Sequence, residues 1–155
     1  MSRLLEDYNK FKKNRPLGAT GGPINESNLT EWEVIIPGPV GSPFEGGKFK
    51  IKIILDDYPN SPPKCNFITK IFHPNINFEK GTICVNFLKK AEDKPNIYKS
   101  WTNKNTITDV ILGLYGLLKF PNQDSPLNSN ANALYRRDKI RHNQLAKSFT
   151  NKFAK

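Results

Sequence analysis

The chain opens on a helical pattern. In "SRLLEDYNKFKKN", Leu4, Leu5, Tyr8 and Phe11 recur near helical spacing and share one face, with Ser2 placed to cap the start. Glu6 and Asp7 sit toward the positive end of this predicted helix, and Lys10, Lys12 and Lys13 near its negative end, as the macrodipole favours. "RPLGATGGP" breaks it with Pro16, Gly18 and a Gly21-Gly22-Pro23 turn. Three strand candidates follow. "LTEWEVIIPG" places Trp32, Val34 and Ile36 on one side. "GKFKIKIIL" alternates Phe49, Ile51 and Ile53 with Lys48, Lys50 and Lys52, the pattern of a half-buried strand, and "KCNFI" is a third, short one. The turn-rich "PGPVGSPFEGG" joins the first two, with Gly46 and Gly47 read as hairpin-turn residues, and the spacing suits an antiparallel meander.

A long irregular segment runs from Tyr58 to about Asn105, a length that in compact domains goes with function or disorder. Helical periodicity returns in "NTITDVILGLYGLL". Thr106 can cap this helix, Asp109 supports its start, and Val110, Ile111, Leu114, Leu117 and Leu118 form its buried face. "KFPNQDSPLN" stops it. A last helical region, from about Ser129 to Lys152 with a break near Asp138, draws its apolar side from Leu134, Tyr135, Ile140, Leu145, Phe149 and Phe153. Helix, strands, loop, helices is an α+β order, within one expected domain over residues 1–155.

Composition excludes more than it selects. The chain has 155 residues with 37% apolar content, which suits one real core. It has no run of eighteen apolar residues, and its charged first residues lack the apolar stretch of a signal peptide, so a nuclear or cytoplasmic protein without a membrane role is expected. A net charge of +10 suits anionic partners, but charge alone is better read as a solvated, lysine-rich surface. No zinc-finger spacing, RNA-recognition aromatic motif or long basic run makes nucleic acid the primary partner. Two cysteines give no disulfide framework. With His73 and His142 they lack the spacing of a zinc site, so no metal is expected. The glycine turns lack the lysine and serine context of a P-loop.

The chemistry concentrates in "FHPNINFEKGTICVNF", residues 72–87. By residue type alone, Cys84 is open to three readings: a nucleophile served by His73, a metal ligand, or a buried thiol. A lone thiol on a polar loop suits a nucleophile. Cys65, inside "KCNFI", suits burial.

"PGPVGSPFEGGKF", "DYPNSPPKCNF", "FHPNIN", "GTIC", "W…TI" and "PNQDSPLN" occur in that order, and the chain thereby resembles the ubiquitin-conjugating (E2) enzymes over nearly its whole length. The resemblance implies the UBC fold, with an N-terminal helix, a four-stranded antiparallel meander, an active-site loop and C-terminal helices. It implies that Cys84 accepts a ubiquitin-like modifier from an activating enzyme as a glycyl thioester, and that a substrate lysine then takes it as an isopeptide. It makes His73, with Pro74, a structural brace, and gives Asn75 the oxyanion or a loop-organising role. Asp124 or Ser125 would orient or activate the lysine; many members carry an acid where Ser125 stands. No cofactor is implied, because ATP is consumed by the activating enzyme. The implied partners are that enzyme, the modifier, ligases and substrate proteins with an acceptor lysine.

Several stretches are similar to the SUMO-conjugating branch: "SRLLEDYNKFKKNRPLG", "WEVIIPG", "EGGKFK" and "DDYPNSPPKCNF". That likeness makes SUMO the expected modifier, with a ubiquitin-specific enzyme as the alternative and a non-catalytic module of the same fold behind both. It implies modifier and activating-enzyme binding through Lys12, Lys13 and Arg15, and substrate reading through Asp93 and Lys94 in "AEDKP". The chain departs from that branch in one additional residue between Asn75 and Cys84 and in a longer stretch from Cys84 to Trp101, which includes Lys89–Ser100.

Overall fold

In the computed structural model, which describes residues 2–83, 101–123 and 126–155, α1 spans Arg3–Lys13, with the Ser2 hydroxyl accepting from the Leu5 N–H at 3.1 Å. A four-stranded antiparallel sheet follows in simple sequence order: β1 (Thr20–Asn25), β2 (Asn28–Pro37), β3 (Lys48–Ile54) and β4 (Lys64–Phe67). After the sheet come α2 (Ile107–Lys119), α3 (Ser129–Arg137) and α4 (Lys139–Phe153).

The pleat explains the register. Trp32, Val34 and Ile36 of β2 lie opposite Ile53, Ile51 and Phe49 of β3, and Ile53 and Ile51 lie opposite Cys65 and Phe67 of β4. All eight side chains are buried. A slip of one residue would turn these side chains to water and the lysines of β3 inward, so the hydrophobic pattern holds the pairing. Tyr8 and Phe11 of α1 meet Trp32 edge-on, with ring centroids at 5.5 and 5.4 Å. In α2 the Thr106 hydroxyl accepts from the Asp109 N–H while the Asp109 carboxylate accepts from the Thr106 N–H. This capping box sets the rotation that buries Val110, Ile111, Leu114, Leu117 and Leu118.

Two expectations need correction. Gly21, Gly22 and Pro23 are strand β1, not a turn. Gly21 has φ +94°, and a Cβ there would lie 2.2 Å from the Glu33 carbonyl oxygen. The glycines serve a close backbone approach between β1 and β2, which sequence punctuation cannot tell from a turn. Asp7, near the start of α1, is buried, and Arg3 and the Tyr58 hydroxyl both bond its carboxylate. Ile140 does not join the buried side of α4 and is 74% exposed.

Candidate active-site turn

The site is built where the chain leaves β4. Gly81 has φ +74°, and a Cβ on it would come within 2.0 Å of the Phe67 carbonyl oxygen, so only glycine lets the turn lie this close to β4. Gly81 donates its N–H to Asn77 O at 2.8 Å and accepts from the Phe67 N–H at 2.8 Å. Asn77 also caps the turn through its side chain, which accepts from the Lys80 N–H at 2.8 Å. The additional residue between Asn75 and Cys84 lies in the stretch that this turn closes. Thr82 then bridges to Asn66, and Ile83 bridges to Ile76. The residue bonded to Cys84 is thus held opposite the residue that follows Asn75.

His73, Pro74 and Asn75 are fully buried or nearly so. The His73 ring bonds at both nitrogens: Nδ1 accepts the Asn75 N–H at 3.0 Å, and Nε2 lies 2.8 Å from Leu117 O. The acceptor role of Nδ1 places the ring proton on Nε2, where it is donated to the end of α2. Neither nitrogen is open to take a proton from a thiol. Burial pushes the ring well down, to about 4, with a smaller opposing pull from the Leu117 carbonyl.

A pH dependence follows, and its sign is fixed. Unfolded histidine takes up a proton near 6.5, whereas folded His73 holds off until about 4. Between those values the unfolded state binds the extra proton, so stability falls as the pH drops through that window, by on the order of 3 kcal/mol from this group. An NMR titration of the His73 Cε1 proton checks this directly. Its midpoint is expected near 4; a midpoint near 6.5 would show that the ring is not locked in its neutral form.

Asn75 is bound to the loop after α2. Its Oδ1 accepts the Asn122 N–H at 2.8 Å and its Nδ2 donates to Asn122 O at 2.5 Å. The pairing fixes which end of the amide is the donor. Pro74 O accepts from Leu127 and Asn128 at 2.8 and 3.1 Å, and so ties the same turn to the start of α3. A cleft of about 380 Å³ opens beside these residues, lined by Asn77, Phe78 and Glu79 on one side and by Leu127 to Asn130 on the other.

The structure therefore brings His73, Pro74 and Asn75 together with the strand bridge that leads to Cys84. It does not bring Lys12, Lys13 and Arg15 to this site. All three are exposed at the end of α1, where Lys12 lies over the Tyr8 ring and Arg15 over Phe11. Cys84, Asp93, Lys94, Asp124 and Ser125 lie outside the described residues. Cys65 is buried in β4, where burial raises its thiol to about 12. Among the described residues, no three His, Cys, Asp or Glu side chains gather as a metal-binding group. Sequence reasoning missed Asn122 and Leu117. Both act through backbone groups, which carry no side-chain signature; their one signal was the position of Asn122 in the quoted "PNQDSPLN".

A family model described as ubiquitin-conjugating enzyme matches residues 3–150. The ubiquitin-conjugating enzyme E2-18 kDa of Schizosaccharomyces pombe is 35% identical over 144 residues, covering 90% of this chain and 86% of that protein. Among solved structures, the E2 domain of a Toxoplasma gondii ubiquitin-conjugating enzyme superposes with a TM-score of 0.83 at 31% identity, over 99% of this chain and 97% of that one.

Proposed function

The chain belongs to the ubiquitin-conjugating enzyme family, and we propose that it carries ubiquitin as a thioester on Cys84 and delivers it to a substrate lysine. The observation that carries the reading is the position of Asn75: its amide is clamped on Asn122, and its neighbour Ile76 is bridged to Ile83, the residue before Cys84.

In the first step the Cys84 thiolate attacks the glycyl thioester on the activating enzyme. A new S–C bond forms, the old one breaks, and the activating enzyme's thiolate leaves. In the second, a neutral lysine amine attacks the Cys84 thioester. The carbonyl oxygen becomes an oxyanion, the S–C bond breaks, and the amine's surplus proton is lost as the isopeptide forms. Asn75 donates to that oxyanion. Either Asp124 takes or weakens the lysine's proton, or Ser125 only orients the amine. Asp93 and Lys94 contact the substrate, and Lys12, Lys13 and Arg15 meet the modifier or activating enzyme.

Ubiquitin replaces SUMO as the favoured modifier because the similar proteins are described as ubiquitin-conjugating enzymes. A SUMO-type modifier is the second reading, supported by the basic end of α1. Charging assays with each activating enzyme and its own modifier distinguish the two. Ubiquitin is expected to form a thiol-sensitive adduct at least about tenfold faster than SUMO, a gap of about 1.4 kcal/mol in barrier. Charging by SUMO alone would overturn this choice.

A further inference from the structure

Away from the turn at Asn75, a groove of about 330 Å³ lies between the β2–β3 connection and the helices. Phe44 and Leu118 floor it, and both are buried. It continues into a second depression of about 370 Å³ that shares Gly41, Ser42, Pro43 and Asn143. Three large apolar side chains stand on this surface, unusually open: Val40 is 78% exposed, Phe120 74% and Ile140 74%. Their clustering, rather than any single one, marks a contact surface.

The charge around the groove is of one sign. Lys119, Lys139 and Lys147 line it and no acidic side chain does. Glu45 is close, but its carboxylate accepts the Gly41 N–H at 2.6 Å. Among the described residues none of the three lysines makes an ion pair. Lys119 and Lys139 lie instead over the rings of Phe120 and Tyr135, at 5.7 and 4.7 Å. From residue 126 to the end the sequence has seven Lys and Arg against one acid, Asp138, whose side chain accepts the Arg141 N–H.

We propose that this groove docks a peptide segment of a partner protein that combines bulky apolar side chains with Asp and Glu. The apolar side chains cover Val40, Phe120 and Ile140, and the carboxylates meet the lysine rim. A nucleic-acid backbone would answer the lysines but bury nothing on the apolar surface. A second copy of the chain would bring lysine rim to lysine rim.

Selection of short random peptides displayed on phage tests the proposal. Peptides are selected on the wild-type protein and subtracted on the Phe120→Ala/Ile140→Ala variant. Both sites are exposed, and unchanged circular dichroism and melting confirm the fold. Enriched peptides are expected to pair bulky apolar residues with Asp or Glu. A synthetic representative should weaken at least about tenfold on the variant, and again on Lys139→Glu/Lys147→Glu. Its affinity should fall with added salt, and amide shifts should centre on residues 40–44 and 139–147. The proposal is overturned if no peptide enriches, or if the winners are not acidic or bind the variant equally well. Tighter binding of a single-stranded oligonucleotide to the same face, or self-association through it, would also overturn it. The inference goes beyond conjugation, and binding needs no charging of Cys84, so its failure is separable from failure of the ubiquitin reading.

Discussion

Cys84→Ala is expected to eliminate charging completely rather than reduce it. The chain has two cysteines, and the other cannot substitute. Cys65 is 6% exposed in β4, packed opposite Ile53, with its thiol raised to about 12 by burial. At neutral pH a thiol of that kind is ionised in roughly one molecule per ten thousand or fewer, and the thiolate is the nucleophile. Cys84→Ser is the sharper variant, because a hydroxyl in the same place can trap the modifier as an ester that thiols do not reverse. Cys65→Ala is expected to keep charging while losing stability, since it removes a buried sulfur from the sheet's inner face. Charging that survives in Cys84→Ala would remove Cys84 from the mechanism.

Asn75→Ala carries the second large effect. Charging by the activating enzyme should persist, while discharge to a lysine amine should slow by about 10²–10³-fold, the usual consequence of deleting an oxyanion donor. The same change strips the Asn122 N–H and carbonyl of their partner, at a cost of about 1–3 kcal/mol of stability. The two roles separate by measurement. Asn75→Ala discharge is compared with the amide spectrum of the same variant, well below its melting temperature. If discharge stays slow while the amides of residues 73–83 and 117–123 match wild type, the donor acts in the reaction. If those amides shift or broaden along with the loss of rate, Asn75 only organises the loop.

Much of the frame was readable from residue pattern because it depends on side chains. The Lys-Ile alternation of β3 and the Thr106–Asp109 box are local signals with local physical causes. The elements that escaped depend on backbone or on distant partners. β1 reads as a turn because its glycines are selected by the approach of Glu33 O, a contact no periodicity encodes. The burial of Asp7 had no sequence signal, because its hydrogen bond comes from Tyr58, fifty-one positions away. Ile140 reads as core because exposure of an apolar side chain is decided by what the fold leaves uncovered. At the site, the His-Pro-Asn motif marked the turn, but what immobilises it, Leu117 O and both backbone groups of Asn122, belongs to the end of α2 and the loop beyond.

A ubiquitin thioester on Cys84 is checked by intact-mass analysis of the protein after incubation with activating enzyme, ATP and ubiquitin, followed by peptide mapping of the adduct. The expected result is a gain of one ubiquitin less one water, mapped to the peptide containing Cys84 and removed by dithiothreitol. No adduct, or one that maps to Cys65 or resists the thiol as a lysine isopeptide, would contradict it.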